Sequence, residues 1–227
     1  MGCKKVSAGC KNCYMFRDMP RFGRDPAIVV RASEGTFRNP LKWKKTGKLH
    51  PGARIFTCSW SDWFIEQADP WRDEAWRIIK VTPEFTYLIL TKRPERIAGH
   101  LPHDWGSGYR NVWLLVSAED NEQLKKRWEI LERIRATVRG VSAEPLLGPM
   151  SILDTIPASV VPDWIIGGGE SGMNPRPAQL KWFTDLAAEC VRLGIPYFHK
   201  QHGGMRKIDG AWGGRELDGR TWSEFPA

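Results

Sequence analysis

The chain has 227 residues, 41% hydrophobic and 26% charged, with a formal net charge of +8. That balance describes a globular chain long enough to bury one large core, and it excludes a low-complexity or fibrous protein. No apolar run approaches the roughly 20 residues of a membrane span and no signal peptide precedes the first cysteine, so the expectation is a cytoplasmic protein without a membrane partner.

In chain order, the first feature is a cluster of cysteines, Cys3, Cys10 and Cys13, in a C-x6-C-x2-C spacing with glycines and lysines between them. Cys58 and Cys190 make the count odd and the distribution lopsided, which does not suit a disulfide framework. Three soft thiolates on one short loop suit a soft metal or an iron–sulfur cluster with one coordination position left open. A structural zinc site asks for a fourth ligand, and Cys58 or a histidine is the candidate for it. Cys190 falls on an apolar helix face and reads as core. Twelve of the 34 Lys and Arg residues lie within 1–48 against three acids, so nearly all of the net charge surrounds the cysteines. A positive field of that kind attracts polyanions, and nucleic acid is the partner it suits best.

Beyond this basic segment, short β-type runs alternate with helical stretches. Ile28–Arg31 reads as a short extra strand, and Arg54–Cys58 as the next. A helix follows Pro70 over Trp71–Lys80. Thr86–Leu90, Val112–Val116, Val138–Val141, Trp164–Ile166 and Tyr197–His199 are further strands. Helices are expected over Glu119–Ala136 and from Leu180 to Gly194, where Leu180, Phe183, Leu186, Ala187, Cys190 and Val191 repeat at the helical period. Trp76, Trp128 and Trp182 fall on helix faces as core residues, and Trp60 and Trp63 lie in a polar loop, where packing is the first expectation and stacking on a base the alternative. Three segments are expected in one domain: the basic loop region 1–48, a barrel core 49–205 and an extension 206–227.

Such alternation argues for a parallel sheet with right-handed crossovers. Each strand runs out into polar residues: Ser59, Ser61 and Asp62; Lys92 and Arg93; Ser117 and Glu119; Ser142 and Glu144; Gly168, Gly169 and Glu170; Lys200 and His202. Polar groups at every carboxyl end converge only when the strands curve about one axis, so the fold expected is α/β, a partial (β/α)6 TIM-like barrel. Val116-Ser117-Ala118-Glu119 and Val141-Ser142-Ala143-Glu144 repeat the same four residues and place two Ser/Glu pairs at one height. Glycines 167–169 invite close backbone approach to a phosphate, carboxylate or adenosine. Glu119, Glu144 and Lys92 are the candidate catalytic groups, as base or as charge partners at the mouth.

The segment Gly2–Tyr14 (GCKKVSAGCKNCY) resembles the signature of the phage-associated three-cysteine-motif family, which is related to the radical S-adenosylmethionine (SAM) enzymes. The likeness continues through Leu90–Arg96, Asn111–Asp120, Val141–Pro149, Gly168–Gly172 and Leu217–Trp222. This resemblance implies a barrel of the radical SAM type and a [4Fe–4S] cluster held by Cys3, Cys10 and Cys13, its fourth iron open to SAM. It further implies a reductive cleavage of SAM that yields a 5′-deoxyadenosyl radical, an electron donor protein, and a nucleic acid or nucleotide-derived substrate such as phage DNA undergoing base modification. Ser59, Ser61, Asp62, Ser117, Ser142, Gly168, Gly169 and Glu170 stand at strand ends where SAM would be held. Two features depart from the radical SAM pattern: the spacing is not C-x3-C-x2-C, and Asn12 replaces the aromatic before the last cysteine. The chain also begins almost at Cys3, short of the strand that leads into the cysteine loop in those enzymes. The alternatives are a zinc-stapled nucleic-acid-binding protein without catalysis, and a metal-independent barrel enzyme built on the strand-end glutamates.

Overall fold

A computed structural model describes all residues, 1–227. Six strands, β1 (Arg54–Phe56), β2 (Thr86–Thr91), β3 (Val112–Ser117), β4 (Val138–Ala143), β5 (Trp164–Gly168) and β6 (Tyr197–Gln201), form one parallel sheet in the order of the chain. The order follows from the alternation of apolar strands with crossover segments, since each crossover returns the chain beside the strand just made.

Side chains on successive residues of a strand point to opposite faces. Tyr87, Ile89, Val112, Leu114, Val116, Val141 and Ile165 enter the large core that the helices cover. Leu88, Trp113, Leu115, Val138, Trp164 and Ile166 form a smaller cluster on the other face. Phe225 of the C-terminal tail shows that this second face is concave. Its ring packs on Phe198 of β6 with centroids 5.4 Å apart, and the Arg54 guanidinium of β1 lies 3.7 Å over the same ring. One side chain touches the first and last strands only if the sheet curls toward closure. The result is a half-barrel with an aromatic floor at the amino ends of its strands.

Helices α1 (Tyr14–Asp18), α2 (Glu34–Phe37) and α3 (Asn39–Thr46) occupy the basic segment. The longer helices α4 (Asp69–Val81), α5 (Asn121–Leu131) and α6 (Leu180–Leu193) cover the outer face. The Asp120 side chain caps α5 by accepting from Gln123 N–H at 2.8 Å, an N-cap that normally stabilises a helix by about 1 kcal/mol. Helix α6 buries Phe183, Leu186, Ala187 and Cys190 and ends at Gly194, whose φ of 67° suits a residue without Cβ. The thiol of Cys190 is fully buried in the core, as its helix position predicts. Two short hairpins close the chain, β7 (Lys207–Ile208) with β8 (Ala211–Trp212), and β9 (Glu216–Leu217) with β10 (Arg220–Thr221). No helix is long and apolar enough to cross a membrane.

Two sequence expectations change. Residues 28–31 form no strand of the sheet; Val30 instead exchanges hydrogen bonds with Met1, its N–H reaching the Met1 carbonyl at 2.9 Å. The predicted helix over 119–136 is shorter at both ends, because Asp120 terminates it as a cap and Glu119 is withdrawn into the barrel mouth.

Candidate functional site

The cysteine loop sits across the carboxyl ends of β1, β2 and β3. Cys3, Cys10 and Cys13 line one cavity of about 140 Å³ together with Cys58, Ser59, Ser61, Asp62, Lys92, Arg93 and Ser117. All five cysteines are free thiols. Burial pushes the Cys3 thiol up, against the lowering effect of Arg93, whose Nη1 lies 4.0 Å from Cys3 Sγ. Burial likewise raises Cys13. The sulfurs share a cavity without meeting at a point: no three His, Cys, Asp or Glu side chains stand where they hold a single metal ion.

Two glutamate–arginine pairs hold the loop from either side. Glu119, fully buried, accepts from Gly9 N–H at 2.9 Å and from Arg127 Nη1 at 3.0 Å. Arg127, buried on α5, also donates to Ser7 Oγ at 2.8 Å and to the Ser117 carbonyl at 2.5 Å. Burial works to raise the Glu119 pKa, but Ser7, Lys92, the Gly9 N–H and Arg127 more than offset it and keep the carboxylate below its ordinary range. On the other side, Glu170 accepts from Asn12 Nδ2 at 2.8 Å and from the Arg176 N–H at 2.9 Å, with Arg176 Nη2 at 2.5 Å. Arg176 Nη1 in turn donates to the Ala8 carbonyl at 3.0 Å. Here too the hydrogen bonds from Arg176 and Asn12 outweigh burial and hold the pKa down. A third tether joins Gly2 to the loop after β1, through Gly2 N–H to the Trp60 carbonyl at 2.9 Å and Ser61 Oγ to the Gly2 carbonyl at 2.7 Å.

This geometry redistributes the roles expected of the strand-end residues. Asp62 Oδ1 accepts from the Thr91 hydroxyl at 2.7 Å and Phe64 N–H at 2.9 Å, and Oδ2 from Lys92 N–H at 2.8 Å. Arg93 adds an ion pair at 3.1 Å, so the carboxylate is engaged within the chain and braces two loops. Ser61 is engaged with Gly2, which leaves Ser59 and Ser117 as the serines of the cavity wall whose hydroxyls have no partner in the chain. Ser117 and Ser142 are paired neighbours across β3 and β4, the common height that the repeated Ser-Ala-Glu implies. Their glutamates diverge nonetheless: Glu119 is a buried anchor of the loop, while half-buried Glu144 pairs with Lys200 Nζ at 2.7 Å. Ser142, Glu144, Gly168, Gly169 and Glu170 lie outside the wall of the cysteine cavity.

The glycines at the end of β5 are crowded by the chain itself, Gly167 by Tyr197, Gly168 by Glu144 and Gly169 by the backbone of 202–203. A Cβ on Gly169 would overlap the His202 carbonyl, and its N–H already donates to the Gln201 carbonyl at 3.0 Å. Lys92 faces the cavity with Nζ 3.9 Å from Glu119, and burial holds its ammonium below the ordinary lysine value against that attraction. Cys58 stands at φ 53° on the wall. It lines the cavity with exposed surface, and desolvation by the surrounding protein pushes its thiol up to about 12.

Arg127 and Arg176 were not among the sequence candidates. Arg127 carried a signal: with Leu124, Trp128 and Leu131 it shares the buried face of α5, and an arginine on such a face requires a buried acceptor. Arg176 follows an irregular stretch and had none.

No curated protein and no solved structure matches the chain. A family model described as "Protein of unknown function (DUF5131)" matches residues 1–226, and the chain belongs to that family.

Proposed function

We propose that the protein is a radical SAM enzyme of the half-barrel type, with Cys3, Cys10 and Cys13 as ligands of a [4Fe–4S] cluster and a nucleotide-derived substrate. The observation that carries this reading is the shared cavity: three thiols of one loop surround a volume at the barrel mouth. Ligands of a four-iron cluster bind separate irons and therefore enclose a space. A zinc ion instead draws four donors to about 2.3 Å from one point. Three thiolates lining one cavity are a donor set that suits such a cluster. When bound and reduced, such a cluster supplies one electron for cleavage of SAM to methionine and a 5′-deoxyadenosyl radical.

The chain's own residues hold and enclose. Glu119, Arg127, Glu170 and Arg176 hold Ser7, Ala8, Gly9 and Asn12, the segment that carries Cys10 and leads into Cys13. Arg93 and Lys92 place two cations at the wall, which suit the negative charge of thiolates and of a carboxylate ligand. Ser59 and Ser117 offer hydroxyls to polar groups of SAM. Anaerobic reconstitution with iron and sulfide, followed by reduction in the presence of SAM, tests the reading; 5′-deoxyadenosine is the expected product, and its absence from iron-loaded protein counts against it.

One observation favours a second reading. Cys58 lines the same cavity, and four thiolates satisfy a structural zinc. Replacement of Cys58 by Ser leaves metal content unchanged in the first case and lowers it in the second.

A further inference from the structure

A second, larger cavity of about 650 Å³ adjoins the first. It lies between residues 24–37 of the basic segment, the loop after β1 and the start of α4, and the roles described above make no use of it. Its volume is in the range of small-molecule sites, roughly 300–1,000 Å³. Three tryptophans, Trp60, Trp63 and Trp71, and Phe37 contribute to its walls.

The charged groups on the wall are unequal. Arg31 is bound by Glu34 and Glu74, each at 2.7 Å, and Arg72 by Asp69 at 2.5 Å. Asp62, the only carboxylate there, is taken up by Arg93, Thr91 and Lys92. Arg24 is exposed and forms no ion pair, which leaves one guanidinium free to meet an anion. Its nearest polar contact is the Met1 sulfur, at 3.4 Å. Exposed Phe22 also packs against Trp60, with ring centroids 5.9 Å apart.

Cys58, Ser59, Ser61 and Asp62 line both cavities, so a molecule in the larger one rests against the wall of the cysteine site. Flat apolar surfaces, a free guanidinium and a single-molecule volume together match a planar base joined to a phosphate. We infer that this cavity binds one nucleotide, its base against Trp60 and its phosphate at Arg24. The nucleotide is free or is a residue of a single strand whose base enters the cavity. As a substrate site this deepens the radical SAM reading and rests on it; as a binding site it does not.

The test is equilibrium binding to the full chain without iron or SAM, followed by tryptophan fluorescence and calorimetry. The probes are the common ribo- and deoxyribonucleoside monophosphates, the matching nucleosides, and a short single-stranded oligodeoxynucleotide. Binding of at least one nucleotide is expected, weakened about tenfold or more by Trp60→Ala, in keeping with loss of one base-stacking contact. Arg24→Glu, at an exposed position that folding tolerates, weakens nucleotides more than nucleosides. Binding of the oligonucleotide alone, with the same sensitivity to both substitutions, assigns the site to a strand-held base. Absence of binding by every probe, or binding indifferent to both substitutions, overturns the inference. Nucleotide binding without SAM cleavage in loaded protein sinks the radical reading and leaves this site standing; the reverse result does the opposite.

Discussion

The Glu119 carboxylate accepts the backbone N–H of Gly9 at 2.9 Å, across 110 residues of sequence. Gly9 is the residue before Cys10, and a Cβ there would stand 3.0 Å from the Glu119 carboxyl carbon. The cysteine loop thus approaches the end of β3 as closely as a glycine permits, on a carboxylate whose charge Arg127 balances. Glu119→Ala leaves buried Arg127 without its acid, and loss of one partner of such a pair costs about 3–5 kcal/mol. Denaturant unfolding reads that loss, and hydrogen exchange across residues 7–13 reads the freed loop. Gly9→Ala acts on the same contact through crowding and gives faster exchange at 7–13 with a smaller loss of global stability.

Asn12 explains one departure from the radical SAM pattern. Its Nδ2 donates to Glu170 at 2.8 Å and to the Asn174 carbonyl at 3.2 Å, and an aromatic side chain offers no such pair of bonds. Asn12→Phe, which places there the aromatic usual in those enzymes, should destabilise this protein by about 1–3 kcal/mol by removing a hydrogen bond to the buried Glu170 carboxylate, whose Oε2 keeps its two bonds from Arg176. A melting temperature equal to that of the unsubstituted chain contradicts the anchor.

Both anchoring carboxylates have pKa values below the ordinary 4.5, so the folded state binds their protons less readily than the unfolded chain does. Their contribution to stability is complete above about 4.5 and disappears as the pH falls through the depressed folded values. Hydrogen exchange at 7–13, corrected for intrinsic rates, should therefore show protection that is flat from pH 7 to 5 and falls below 4.5. Glu119→Gln with Glu170→Gln should lower protection at neutral pH and remove most of that acid limb.

Asp62 and Ser59 separate structure from binding at the same strand end. Asp62→Ala deprives the Thr91 hydroxyl, two backbone N–H groups and Arg93 of their acceptor. A loss of about 3 kcal/mol or more follows from breaking a buried network. Ser59→Ala should change stability by no more than about 0.5 kcal/mol. In loaded protein it should weaken SAM binding, measured by equilibrium dialysis.

The half-barrel was legible because each strand is a short apolar run ending in polar residues, and sequential order is the simplest connection of such units. The three short helices of residues 14–46 were not, since their residues bury little and carry no clear period. Site legibility divides along the same line. Residue types marked the strand-end serines, acids and cations, but not their employment: Asp62 and Ser61 bond within the chain, and Gly169 after β5 admits the chain segment 202–203. What a carboxylate bonds to is set by contacts across more than a hundred residues, as Gly9 with Glu119 shows, and local sequence does not encode them.

What the three thiols of the cysteine loop bind decides whether this is a radical SAM enzyme. Metal and acid-labile sulfide analysis of anaerobically reconstituted protein, with Cys3→Ser, Cys10→Ser and Cys13→Ser in parallel, addresses this directly. The prediction is about four irons and four sulfides per chain, a broad visible absorbance that bleaches on reduction, and loss of most iron in each substituted chain but not in Cys190→Ser. About one zinc per chain in a colourless sample, or iron retained when all three cysteines are replaced, contradicts it.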